Sequence, residues 1–205
     1  MAEPCRIVVM ASGNGSNFQA LIDAVISQRI SNAQIVRLFV NRKKAYAVTR
    51  AESVGIPSTY FNMISQGFQG KGEVDPKKLK EARSRYDAVL AEVVLQDRPS
   101  LVVLAGWMHK NDLTVPNDDA GMYDGADAIE RAFRDFQEGK LKDNRTGLMI
   151  HYVIEEVDRG EPILVEEIEC SKDEDLHQLE QKFHVREHEL IVNATAKVVG
   201  ELMAN

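Results

Sequence analysis

The sequence predicts an α/β fold, a doubly wound and mostly parallel sheet, on three observations. Short apolar runs rich in β-branched residues recur, as expected of strands buried on both faces. They alternate with stretches whose apolar residues repeat at helical spacing, the β-α-β-α-β order of a parallel sheet. The first run also passes through a small-residue turn directly into a helix, at the strand end where such sheets hold ligands.

Residues 7–10 (IVVM) are the first strand, and residues 18–26 carry the helical spacing of the first helix. Between them residues 12–17 supply two glycines, two serines and two asparagines. Such a turn points backbone N–H groups and a helix N-terminus at one spot, which attracts anions. Ser16 or Asn17 either caps the helix or turns toward a bound phosphate. The plainer reading is a tight turn with a good N-cap. Gly13 and Gly15 fit a G-x-G-x-x-G fingerprint, but Phe18 stands in its third place, and no G-K-[ST] follows. A single phosphate therefore fits better than a pyrophosphate, and a dinucleotide oxidoreductase fails on the third glycine.

Residues 35–40 read as the second strand, and the polar residues 41–44 follow it. Residues 45–53 form a short helix closed by Gly55, and residues 58–61 a third strand. Residues 63–75, with three glycines and little periodicity, are a loop. Residues 76–96 form a long helix with an apolar stripe of Leu79, Ala82, Tyr86, Val89, Leu90, Val93 and Val94. Its first half is crowded with basic residues, mostly a solvated face, from which Arg83 or Arg85 can reach an anionic ligand. Residues 101–104 (LVVL) are again wholly apolar and end in small residues, as the first strand does. These two strands are expected to be neighbours flanking the site. Trp107 and Met108 beyond them either wall a flat aromatic ligand or belong to the core. The stretch from Lys110 to Ala120 (KNDLTVPNDDA) breaks the pattern, being too polar for a buried strand. A helix is expected over 125–138, strands over 148–153 and 162–168 that pair with each other, and a carboxylate-rich turn between them. A long helix, with a break near its middle allowed, spans 175–204.

The chain has 205 residues, 44% hydrophobic and 28% charged, with a net charge of −7. That suits one domain over 1–205 and argues against a broad nucleic-acid surface. Cys5 and Cys170 form no spacing motif, and no signal peptide or long apolar segment stands out. A reduced, soluble, cytoplasmic protein without membrane contact is expected, a monomer or weak homodimer.

For chemistry, His151 lies in an apolar strand and Asp158 in the loop that follows. A carboxylate beside an imidazole raises its pKa and fixes its tautomer, which prepares proton transfer; the plainer reading is a core histidine and a turn aspartate. His184 and His188 stand four apart on a helix, but no third ligand with suitable spacing accompanies them, so no metal is expected. No G-x-S-x-G elbow is present, and neither cysteine has an activating partner.

Five blocks, ASGNGSNFQALID, NRKKAYAVTRAESVGIP, LVVLAGWMH, GMYDGADAIERAF and MIHYVIEEVDRGEPI, together resemble the phosphoribosylglycinamide formyltransferase family in its stand-alone eukaryotic form. The resemblance runs from Arg6 to about Leu202. It implies a Rossmann-like formyltransferase fold and transfer of a formyl group from 10-formyltetrahydrofolate, the co-substrate, to glycinamide ribonucleotide in de novo purine synthesis. It also implies residue roles. Gly15, Ser16 and Asn17 match the turn that binds the ribonucleotide phosphate, and Glu187 the ribose-contacting glutamate. Arg83 matches a basic ligand-contacting position. Met108 and His109 match the start of the folate-lining segment, and residues 153–158, beginning at Val153, the loop over the pterin. Asp158 matches the essential aspartate that raises the pKa of a catalytic histidine, and His151 a histidine lining the same cleft. Initiator methionyl-tRNA formyltransferases would need a basic RNA-binding extension, against the net charge of −7.

One departure stands out. Where the family runs through a helix, a strand and an N-x-H-P loop, this chain has Lys110 to Ala120 (KNDLTVPNDDA). Neither Asn111 nor Asn117 sits in an N-x-H sequence, so the family's oxyanion-binding and proton-moving roles pass to neither. Losing one oxyanion donor costs ~100- to 1,000-fold in rate. Impaired activity is the expectation, from a splice variant or a misread intron boundary. The alternative is a catalytically inactive nucleotide- or folate-binding form.

Overall fold

The computed structural model describes residues 3–108, 127–154 and 160–204. They fall into two compact units, residues 1–109 with 195–205, and residues 110–194.

The first unit is built on a four-stranded parallel sheet. Its strands are β1 (Cys5–Ala11), β2 (Ala33–Val40), β3 (Ser58–Tyr60) and β4 (Leu101–Leu104), in the order β3-β2-β1-β4. The expected adjacency of the first and fourth strands holds: Ile7 pairs with Leu101 and Met10 with Leu104. β1 lies between two partners and is almost wholly buried, as an unbroken run of Ile, Val and Met requires. β4 differs from the expectation of a strand covered on both faces. Among the described residues it pairs with β1 alone, and it leaves Val102 and Leu104, on one face, exposed.

Helix α1 (Ser16–Ile26) follows β1, and α2 (Ala47–Ser53) follows β2, beginning two residues later than the apolar pattern suggested. α3 (Pro76–Leu95) lies where the stripe placed it. Its start is set by Asp75, whose carboxylate accepts from the Lys77 and Lys78 amides, with Pro76 in the first turn. Ala82, Tyr86, Leu90 and Val94, four residues apart, are buried. Tyr86 and Leu90 pack with Val8, Met10, Phe39 and Phe61, and Trp107 packs against the same cluster. The phenol of Tyr86 donates to the Phe61 carbonyl (3.0 Å), so its polar end is satisfied inside the core. The 63–75 stretch is a loop as expected, anchored by Met63 and Phe68 on this core.

The second unit holds α4 (Ala128–Gln137), the antiparallel hairpin of β5 (Arg145–His151) and β6 (Pro162–Glu169), and most of α5 (Leu176–Ala204). Ile168, Cys170, Leu179 and Phe183 form its core, with Phe133 and Phe136 against them. The two strands pair as expected, but β5 begins three residues earlier and ends two earlier than the 148–153 reading. The apolar pattern continues through Tyr152, Val153 and Ile154, yet those side chains are exposed. The register shifts at the end of the ladder, where Ile150 stands opposite Leu164 and His151 opposite Pro162. α5 is one unbroken helix. It opens on a reciprocal cap: the Gln178 amide donates to the Asp175 carboxylate (2.8 Å) and the Asp175 amide to the Gln178 side chain (2.9 Å). The non-strand stretch from Lys110 to Ala120 lies outside the described residues. No helix among the described residues is long and apolar enough to cross a membrane.

Candidate active site

In the first unit the four strands end at one edge, and small polar side chains tie those ends together. The Ser12 amide, just past β1, donates to the Gly106 carbonyl past β4 (3.0 Å). Ser12 Oγ accepts from the Met108 amide (2.6 Å) and donates to the Met108 carbonyl (3.2 Å). Asn41, the first residue past β2, donates from Nδ2 to that carbonyl (2.8 Å), and Asn62, past β3, donates to the Asn41 carbonyl (2.9 Å). Ser12 is 1% and Asn41 6% exposed, so these bonds form where water competes little. Met108 is thereby fixed by its backbone while its side chain is 60% exposed. Trp107 is half-buried against the core cluster, and Met108 is turned outward.

The turn at this edge differs from the sequence reading at its cap. Gly15, in the left-handed region at φ 74°, occupies the N-cap position of α1, and no side chain caps the helix. Ser16 and Asn17 are instead its first two residues. The helix's own hydrogen bonds begin with the Gln19 amide on the Gly15 carbonyl (2.9 Å). The amides ahead of Gln19 therefore belong to the helix N-terminus, where the aligned peptide dipoles favour an anion. Gly15 is required twice over: its φ disfavours any L side chain, and a Cβ there would lie 2.7 Å from Ala47 Cβ.

Arg83, on the exposed side of α3, pairs with Asp87 one turn on. A cavity of about 470 Å³ lined by Ile22, Val25, Ile26, Ile35 and Pro57 shares no residue with the Gly13–Asn17 turn or the Ser12–Met108 net.

In the second unit His151 closes β5. Its Nδ1 lies 2.8 Å from the Tyr152 carbonyl, which only accepts, so Nδ1 carries the proton. The Tyr152 amide donates to the Glu161 carbonyl (2.9 Å), closing the base of the intervening loop. Gly160 sits directly against it: a Cβ there would fall 1.5 Å from the Tyr152 carbonyl oxygen. Val153, 66% exposed, projects from this loop rather than from a strand. Glu187 is half-buried on α5, one residue from Arg186, which pairs with Glu166 (3.4 Å). His109 and Asp158 lie outside the described residues, and with Asp158 the pairing expected with His151. Among the described residues no group of three or more His, Cys, Asp or Glu is placed to hold a metal ion.

The structure thus joins Gly15, Ser16 and Asn17 at one helix N-terminus and links that edge to Met108 through Ser12. Sequence reasoning missed Ser12, Asn41, Asn62 and Gly160. The signal for Asn41 was available: it is the polar residue immediately after the apolar end of β2 in a parallel sheet, the place where ligand edges form.

The formyl transferase family model matches residues 5–110 and 120–195. The chain is 36% identical to a phosphoribosylglycinamide formyltransferase of Schizosaccharomyces pombe, across 95% of this chain and 97% of that one. It is 38% identical to one of Saccharomyces cerevisiae, across 96% and 98%. A solved structure of glycinamide ribonucleotide transformylase 1 from Symbiobacterium toebii superposes with a TM-score of 0.76 at 23% identity, covering 98% of this chain and 90% of that one, a likeness of fold.

Proposed function

The chain belongs to the phosphoribosylglycinamide formyltransferases, and from that membership we infer how its residues divide the work of one reaction. The reaction moves a formyl group from 10-formyltetrahydrofolate to the amine of glycinamide ribonucleotide, a step of de novo purine synthesis. The amine lone pair attacks the formyl carbon, and the tetrahedral intermediate collapses. N10 of the folate then leaves with the electrons of its C–N bond, and one proton passes from the amine to N10. The products are formylglycinamide ribonucleotide and tetrahydrofolate. Identity of 36% and 38% over nearly the whole of two relatives carries this reading.

The helix N-terminus at Gly15, Ser16 and Asn17 takes the ribonucleotide phosphate, where backbone amides and the dipole supply attraction without a lysine. Glu187 accepts from the ribose hydroxyls. Met108, with His109 after it, begins the folate wall, Val153 belongs to the loop over the pterin, and Arg83 offers a cation to the folate. Asp158 and His151 handle the proton: with Nδ1 of His151 committed to the Tyr152 carbonyl, Nε2 is the nitrogen that exchanges protons. The small-molecule substrates require neither nucleic acid nor membrane, and the protein acts in the cytoplasm as a monomer or weak homodimer.

Turnover by this chain is low. The family match omits residues 111–119, within the stretch that stands in place of the N-x-H-P loop, and the loss of one oxyanion donor costs ~100- to 1,000-fold. The test is formyl transfer by the purified chain beside the Saccharomyces cerevisiae relative. A rate at least about 100-fold lower is expected, abolished by Asp158→Asn. A rate equal to the relative's would overturn this account. The same omission favours a second reading, a nucleotide- or folate-binding protein without turnover, which calorimetric binding of glycinamide ribonucleotide with no product would establish.

A further inference from the structure

The turn that reads as the phosphate site is held from outside by α2, and one side chain supplies most of the grip. Arg50 Nε donates to the Asn14 carbonyl (2.9 Å), Nη2 to Asn14 Oδ1 (2.8 Å) and Nη1 to Gln19 Oε1 (3.1 Å). Its guanidinium lies 5.0 Å from the centre of the Tyr46 ring, which fixes the plane of the fork. One turn earlier the Ala47 amide donates to the Gly13 carbonyl (3.2 Å), and Ala47 Cβ fills the space a side chain at Gly15 would need.

A trans peptide is planar, so each carbonyl points opposite to the N–H of the next residue. Drawing the Asn14 carbonyl toward α2 aims the Gly15 N–H away from α2. The Ala47 bond to the Gly13 carbonyl does the same for the Asn14 N–H. We propose that Arg50 is a positioning residue for ribonucleotide binding: it presents the Gly15 amide to the phosphate while its own donors stay on Asn14 and Gln19. This rests on the reading of Gly15–Asn17 as the phosphate turn. The guanidinium is needed as a planar fork, because an ammonium cannot reach a backbone carbonyl, a side-chain amide and Gln19 in fixed directions.

The test compares the full wild-type chain with Arg50→Lys and Arg50→Ala. Affinity is measured by calorimetry with glycinamide ribonucleotide and, separately, inorganic phosphate; amide exchange is followed at Gln19 without ligand. Both variants are expected to bind the ribonucleotide about 10- to 100-fold more weakly, the loss of charge-assisted hydrogen bonds. Exchange at Gln19, whose amide is bonded to the Gly15 carbonyl, should accelerate in both. Arg50→Lys with wild-type affinity would overturn the proposal, since charge alone would then suffice. So would variants that unfold at lower temperature yet bind normally while folded. If wild type binds neither probe but exchange at Gln19 still depends on Arg50, the phosphate reading falls and takes Arg50's role in binding with it, leaving only its hold on the turn.

Discussion

Gly160 and Gly200 are both glycines with a side-chain-sized question attached, and the answers are opposite. At Gly160 a Cβ would fall 1.5 Å from the Tyr152 carbonyl oxygen and 3.0 Å from His151 Nδ1. Backbone cannot yield there without opening the base of the loop, so Gly160→Ala is expected to destabilise the protein by on the order of 3 kcal/mol. Gly200 lies exposed within α5 with nothing inside 4 Å of its Cβ position. There the helix gains what glycine costs it, and Gly200→Ala should add about 0.5–1 kcal/mol. Urea unfolding of the two variants beside wild type checks both signs. Gly15 was legible as a turn residue because small polar residues surround it between strand and helix. Gly160 was not, since its constraint comes from a carbonyl eight positions back, brought close by the pairing of β5 with β6.

The joint between β6 and α5 is where pH acts on a whole element. Lys182 donates to the Glu169 carbonyl at the end of β6 (2.9 Å) and pairs with Glu174 (2.5 Å) just before α5. The hydrogen bond from Lys182 holds the Glu174 carboxyl below its usual 4.5, with the Ser171 amide adding to the effect against the opposing pull of burial. A depressed folded-state pKa means the stabilisation is complete above the unfolded value and fades as pH falls through the lowered one. Protection of the Cys170 and Leu179 amides, taken relative to intrinsic exchange at the same pH, should therefore fall below about pH 4.5, and Lys182→Met should flatten that dependence. Equal pH profiles in wild type and variant would refute it. Elements were read reliably where period and composition agreed, as in α3. Their ends were misplaced where a partner decides. Tyr152, Val153 and Ile154 look like strand, but the pairing with β6 shifts register after Ile150 and the strand ends at His151.

For the whole molecule, the parallel sheet and the adjacency of β1 and β4 followed from apolar runs and from small residues at two strand ends. The net of Ser12, Asn41, Asn62 and Met108 did not, because four separate strand ends have to converge before its bonds exist. The stretch from Lys110 to Ala120 was legible as a polar break from the residues alone, and as a lost catalytic segment only against the family pattern; it supplies the largest expected effect. Replacing residues 111–119 with a segment carrying the family's N-x-H-P sequence should raise formyl transfer at least about 100-fold. A replacement that folds and gains nothing would place the defect elsewhere.

β4 also bears on how the protein behaves in a tube. A row of apolar side chains on a strand with one partner among the described residues is a surface on which a second copy can begin to stack. At neutral pH like charge opposes that approach, the chain carrying −7. The repulsion vanishes at the isoelectric point, near 5.3. Colloidal stability and catalysis are thus governed by different parts of the chain. A stock brought to about pH 5.3 is expected to scatter more light than one at neutral pH and low salt, with an unchanged circular dichroism spectrum.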